Sequence, residues 1–230
     1  MSPARNVDLG DPELDTIPPV QTVVVAGAGR GGVAASFRVA IAGVLRTVAT
    51  QRNMKIHVLS GLMVMMVGMA LPLDLSTRVA LLFAVAIVFF AEILNTALEA
   101  LIDLFVKDFH RLAMLAKDAA AGGVLVMAVT TVFVLAEILW MRWDLVETNV
   151  GAVLRSVIFG VPLVIVEAVG LFWVRRRRLQ VPRLLVSVGL LVPLLLHTKD
   201  PLFAGVALLF VGMAFVARVF YTPRAAPNLS

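Results

Sequence analysis

The chain has 230 residues, of which 60% are hydrophobic and 15% charged, and its mean hydropathy is +0.97. Soluble domains run nearer half apolar and a quarter charged, so the composition excludes a disordered chain and points to an integral membrane protein. Zero cysteines remove disulfides and thiolate chemistry, and the +5 net charge is no nucleic-acid signature, because the basic residues sit between apolar runs.

Residues 1–35 read as a polar, proline-containing tail followed by a Val/Ala/Gly stretch. The first 20 residues hold no apolar core, so they are not read as a secretory signal. Residues 27–32 (GAGRGG) fit the GxGxxG spelling. A dinucleotide site would also need a strand–helix–strand unit and an acid ~20 residues on. Residues 47–53 supply no acid, so a glycine-rich linker is expected. In residues 36–50, Phe37, Ile41, Val44, Leu45 and Val48 recur at three-to-four spacing with Arg38 and Arg46 on other flanks, a pattern that suits a helix lying in the membrane interface.

Six apolar runs follow, near residues 56–73, 79–101, 119–141, 151–174, 184–198 and 201–221. Each can cross a ~30 Å hydrocarbon core, the short fifth least comfortably. The expected fold is all-α: a polytopic membrane protein with an N-terminal surface helix, three spans up to residue 141, and about three more in residues 142–230. With the tail in the cytoplasm, sixteen of the 20 Lys and Arg fall on inner segments, leaving Arg78, Arg142, Arg155 and Lys199 outside. The positive-inside rule then places both termini in the cytoplasm, and the four arginines at 175–178 read as an orientation anchor.

The second span carries the unusual residues. After an unbroken apolar run, residues 91–103 read AEILNTALEALID. At ~100° per residue, Glu99 lies about 20° to one side of Glu92, Asp103 about 20° to the other and Asn95 about 60° away. Three carboxylates and an amide thus share one helix face. Glu92 falls about 20 Å along from Val79, still within the hydrocarbon, and Glu99 about 30 Å along, at the inner boundary. A carboxylate in lipid costs at least ~2.5 kcal/mol, so Glu92 is expected to face protein and to work. The loop that follows (KDFHR, 107–111) and Lys117-Asp118 put a cation and further acids at the same boundary. Asp118 is expected to cap the third span, whose opening Ala/Gly residues permit close helix approach. Acids and a Lys at the water boundary, below a carboxylate in lipid, suit a reaction between a membrane alcohol and a magnesium nucleotide, with the deep carboxylate as general base.

Residues 51–57 (QRNMKIH), 91–103 and 116–122 (AKDAAAG) resemble the prokaryotic membrane diacylglycerol kinase and undecaprenol kinase family, over residues ~36–140. The resemblance implies ATP- and Mg2+-dependent phosphorylation of a lipid alcohol, diacylglycerol or undecaprenol. By resemblance, Glu92 is the general base, with Asn95 beside it at the lipid substrate. Glu99 and Gln51 are the metal ligands, and Gln51, Glu99, Asp108, Phe109, His110, Lys117 and Asp118 line the ATP site. A homotrimer in a bacterial inner membrane is also implied. Gln51 departs from the diacylglycerol-type pattern, which has a second metal-binding Glu there; an amide oxygen can still ligate magnesium but brings no charge.

The division read from the sequence is thus a tail (1–35), a lipid-kinase-like membrane region (36–141) and a further membrane region without recognised function (142–230). That last region carries Glu167 in mid-span and no lipid-phosphatase motif. Two rival readings exist. One is a transporter or proton relay using Glu92 and Glu167 as intramembrane carriers. The other keeps the kinase fold as an inactive scaffold.

Overall fold

A computed structural model describes residues 32–174, 176–198 and 200–221 of the chain. The GAGRGG segment apart from Gly32, and Arg5, Arg30, Arg175, Lys199 and Arg224 of the orientation count, lie outside the described residues. Packing divides the chain into two compact units, Met1–Arg38 and Val39–Ser230. In the described part of the first, the Ala35 and Ser36 amides donate to the Gly32 carbonyl.

Every described element is helical: α1 (Val33–Thr50), α2 (Arg52–Ala70), α3 (Leu75–Phe105), α4 (Arg111–Met141), the short α5 (Trp143–Thr148), α6 (Val150–Phe172), α7 (Gln180–His197) and α8 (Pro201–Val216). A 3-10 turn at Arg177–Leu179 precedes α7, and a π turn at Ala217–Tyr221 extends α8. Among the described residues, seven segments are long and apolar enough to cross a membrane, six matching the expected spans and the seventh being α1. The expected surface helix therefore also meets the length and composition of a span; its exposed Val39 and Ile41 suit lipid in either placement.

Helix ends depart most from the apolar runs. α3 begins at Leu75, four residues before Val79, because the Asp74 side chain accepts the Thr77 amide at 2.9 Å. α2 stops at Ala70, just before Pro72. α4 begins at Arg111, so Asp118 stands two turns inside the helix and is not its cap. That expectation is corrected: the segment 111–118, with its charges at Arg111, Lys117 and Asp118, is itself helical, and His110 takes the N-cap position without a side-chain bond.

The core crosses residue 142. α2 packs against α3, α6 and α8, while α4 lies on α3, and α7 on α6 and α8. One cluster joins Leu62, Met65 and Met69 of α2 to Leu163 of α6, Leu191 of α7 and Phe203 of α8. Two glycines of α2 make this close approach possible. A Cβ on Gly61 would stand 2.6 Å from the Phe210 ring, and one on Gly68 would stand 2.5–2.6 Å from three ring atoms of Phe203. Both pairs are seven residues apart, two turns on one helix face, so two phenylalanines of α8 fill two notches of an antiparallel α2.

At the Leu71 end, charged groups fasten the elements together. Arg142 Nη2 reaches Asp74 Oδ2 at 2.6 Å. Arg78 Nε donates to the Leu73 carbonyl at 2.7 Å and lies 2.9 Å from Oδ2 of buried Asp200, which caps α8 through the Leu202 amide. Ser76, the Thr77 amide and Arg142 hold the Asp74 carboxyl well below its ordinary range.

Candidate active site at the acidic end of α3

The buried stripe of α3 runs Leu81, Val85, Val88, Glu92, Asn95. These residues recur every three or four positions, so the stripe that packs in the apolar part continues without a break into the acids. Glu92 is 1% exposed and its Oε2 has no hydrogen-bond partner. Asn95 is buried, donates from Nδ2 to Glu99 Oε1 at 2.9 Å, and keeps Oδ1 unpaired. Glu99 is half-buried, one turn nearer the helix end. Two unpaired acceptors, Glu92 Oε2 and Asn95 Oδ1, therefore lie within one turn of each other in an apolar setting. A hydroxyl with an apolar body would satisfy them.

Asp103 joins α3 to α4: it pairs with Lys117, and its carbonyl accepts Lys107 Nζ at 2.8 Å. The Ala/Gly opening of α4 leaves a groove against α3 of about 270 Å3, lined by Ala91, Leu94, Asn95, Ala119, Ala120 and Gly123 among others. Asn95 is the polar residue of this groove, which runs at the depth of Glu92. On α2, a Cβ at Gly61 would stand 3.2 Å from Val85 Cγ1. In an antiparallel pair that register sets Met54 at the depth of Glu92 and Gln51 at that of Asn95, about 6 Å of rise from Glu99.

The structure thus gathers Glu92, Asn95 and Glu99 on one face, ties Lys117 to Asp103, and brings Gln51 to the same depth. Asp108, Phe109 and His110 lie in the exposed connection before α4, and Asp118 is exposed on α4, whereas Glu92 is buried. Among the described residues no three His, Asp or Glu side chains converge as a metal cage. Magnesium does not demand one, since it keeps waters and often takes one or two carboxylates plus substrate phosphates. The free Oε2 of half-buried Glu99 suits that mode, with the Gln51 amide oxygen at similar depth.

A family model for prokaryotic diacylglycerol kinase matches residues 38–139. An undecaprenol kinase of Bacillus subtilis is 37% identical over 94 residues, 41% of this chain and 76% of that protein. The chain belongs to the prokaryotic diacylglycerol kinase family. Its similarity to a diacylglycerol kinase of Synechocystis is 44% over 100 residues, 43% of this chain but 57% of that protein, so the match spans little more than half of that relative. A diacylglycerol kinase of Escherichia coli is 34% identical over 82 residues, covering 36% of this chain and 67% of that protein. No solved structure matches the chain. The family match takes in the whole acidic face of α3 and stops at residue 139, near the end of α4.

Beyond α4 lies a polar group that sequence reasoning did not assemble. Glu167 of α6, 1% exposed, accepts from Arg183 Nη1 at 2.7 Å and from Ser187 Oγ at 2.6 Å. The Arg183 side chain lies across Gly170, where a Cβ would come within 2.3 Å of it. Arg218 of the π turn donates to the Gly170 and Val174 carbonyls, and Gln180 also donates to Val174. Glu167 is therefore half of an interhelical ion pair, which removes the second free acid that a proton-relay reading needs. Arg183 and Ser187 sit four residues apart, one face of α7; that spacing was the available signal.

Proposed function

We propose that the chain phosphorylates a membrane lipid alcohol, diacylglycerol or undecaprenol, with ATP and magnesium at the cytoplasmic face of a bacterial inner membrane. The observation that carries the proposal is a buried carboxylate with an unpaired oxygen, Glu92, one turn from the unpaired Asn95 carbonyl. Both termini are cytoplasmic in this reading, so the Glu99 end of α3 meets the nucleotide. Similarity to kinases named for these two lipids supports the substrate class. The homotrimer implied by resemblance is part of the proposal, and the bareness of α4, whose one buried residue is Val124, supports it.

The lipid chain enters along the α3–α4 groove, and its hydroxyl donates toward Glu92 Oε2 while Asn95 orients it. As the alcohol oxygen bonds to the γ-phosphorus and the bond to ADP breaks, the hydroxyl proton passes to the Glu92 carboxylate, which later returns it to water. Lys117, held by Asp103 at the α3–α4 crossing, offers its ammonium to the phosphates, and residues 108–110 with Asp118 flank the nucleotide. Magnesium, carried by Glu99 and Gln51, would neutralise phosphate charge. Burying the base in apolar surroundings excludes water as the competing acceptor.

The test is reconstitution in liposomes with labelled ATP, magnesium and either lipid. Glu92→Gln keeps size and polarity and removes the base, so lipid phosphorylation is expected to fall by about 10²- to 10⁴-fold with ATP binding retained. Undiminished activity of Glu92→Gln overturns the mechanism; ion flux without phosphorylated lipid overturns the function.

A further inference from the structure

Glu92 is flanked on α3 by Phe89, which touches the region beyond residue 142, and by Ile93, which packs on a cluster that this region shares with α1 and α2. The Phe89 ring stacks on Phe210 of α8, with centroids 5.3 Å apart and planes 19° from parallel. Ile93 and Phe89 border a cluster that includes Ala214 of α8 and Ala217 of the π turn, with Met213 and Val216 packed against it. Phe210 also fills the Gly61 notch, and Gly61 in turn meets Val85, a stripe residue two turns before Glu92. One aromatic ring thus contacts α2 and α3 at once, and its partner Phe89 lies about 60° around α3 from the base.

We propose that Phe210 is a positioning residue for lipid phosphorylation: wedged between α2 and α3, it sets the rotation of α3 about its axis and so aims Glu92. The inference rests on Glu92 being the base. The lever is short. A carboxylate about 6 Å off the helix axis moves roughly 1.5 Å for a 15° rotation. A misplacement near 1 Å can cost about 10²-fold in rate. The region beyond residue 142, without counterpart in the matched family segment, then acts on the reaction through packing rather than through a second chemistry.

The closing experiment uses the full chain in liposomes and compares Phe210→Ala with Phe203→Ala. Phe203 fills the Gly68 notch two turns along α8, away from Glu92, and serves as the control for lost packing alone. Two readouts are taken at a temperature where all chains stay folded: the kcat and KM split for lipid phosphorylation, and the rate at which dicyclohexylcarbodiimide, an apolar carboxyl reagent, modifies Glu92. Phe210→Ala is expected to lower kcat about 10-fold or more, leave KM for ATP within about 2-fold, and speed Glu92 modification several-fold; Phe210→Leu falls between, and Phe203→Ala changes none of these by more than about 2-fold. Adding Phe89→Ala to Phe210→Ala brings little further loss, because the two rings act as one contact. Equal effects of Phe210→Ala and Phe203→Ala, or unchanged kcat and modification in Phe210→Ala, overturn the inference. A wild-type chain that phosphorylates no lipid overturns the functional reading instead, and the modification rate then still decides whether Phe210 holds Glu92 in place.

Discussion

The Gly68–Phe203 notch gives the sharpest stability prediction. A Cβ at residue 68 would stand 2.5 Å from Cγ and 2.6 Å from both Cδ atoms of Phe203. Carbon atoms rest about 3.5–4.0 Å apart, so α2 and α8 must separate by roughly 1 Å. The atoms struck are the root of a fully buried ring, which cannot swing away as a chain end could. Gly68→Ala is therefore expected to cost about 1–3 kcal/mol, the usual range for overpacking. Phe203→Ala opens a cavity of about 100 Å3, and at ~24 cal/mol per Å3 this costs about 2.4 kcal/mol. The water-transfer part of a soluble-protein mutation is left out, because lipid replaces water as the reference. In the double variant the new methyl sits in the space the ring vacated. Its cost is expected to fall short of the sum by about 1–2 kcal/mol, a coupling of ordinary size for touching residues. Unfolding in mixed micelles of increasing denaturing detergent measures all four chains. Strict additivity, or a Gly68→Ala chain as stable as the wild type, refutes the close-approach argument.

Other outcomes follow from the polar groups. Glu167→Gln strips the anion from a buried Arg183 and is expected to destabilise by about 3–5 kcal/mol in the same micelle assay, whereas Glu167→Leu with Arg183→Met recovers most of it. Gln51→Glu adds a charged oxygen donor at the depth of Asn95, one turn from that of Glu99; lipid phosphorylation at limiting magnesium is expected to be retained or raised, and abolished activity would show that Gln51 acts otherwise than on metal. Because the folded-state pKa of Asp74 lies below its ordinary value of 3.8, its carboxylate stabilises the fold fully above that pH, and the benefit is lost as pH falls through the folded value. The stability difference between wild type and Asp74→Asn, followed from neutral pH downward, should therefore be constant until about pH 4 and then shrink.

The acidic face of α3 was legible because helical periodicity is a local property: Glu92, Asn95 and Glu99 needed only their spacing. Hydropathy gave the six longer spans but misjudged their ends. The first two turns of α4, residues 111–118, carry Arg111, Lys117 and Asp118 and are helical by continuity with the span, which a search for unbroken apolar runs cannot register. The pairing of Glu167 with Arg183 was out of reach, since it depends on how α6 and α7 fold back across the intervening turn. Gly61 and Gly68 on α2, and Phe203 and Phe210 on α8, did carry a signal in their matching seven-residue spacing. Nothing local says that one pair meets the other.

Asp74, Arg78, Arg142 and Asp200 draw the loop before α3, the start of α3, the end of α4 and the start of α8 to one rim of the bundle. At the other rim the polar ties join helices in pairs, Asp103 of α3 to Lys117 of α4 and Arg218 to the end of α6, and the exposed connection at 107–110 can pivot about the seam. Deuterium uptake is then expected to be slow at residues 71–78 and fast at 106–110, so the opening through which a nucleotide would come and go lies at the far end of the lever from its fulcrum.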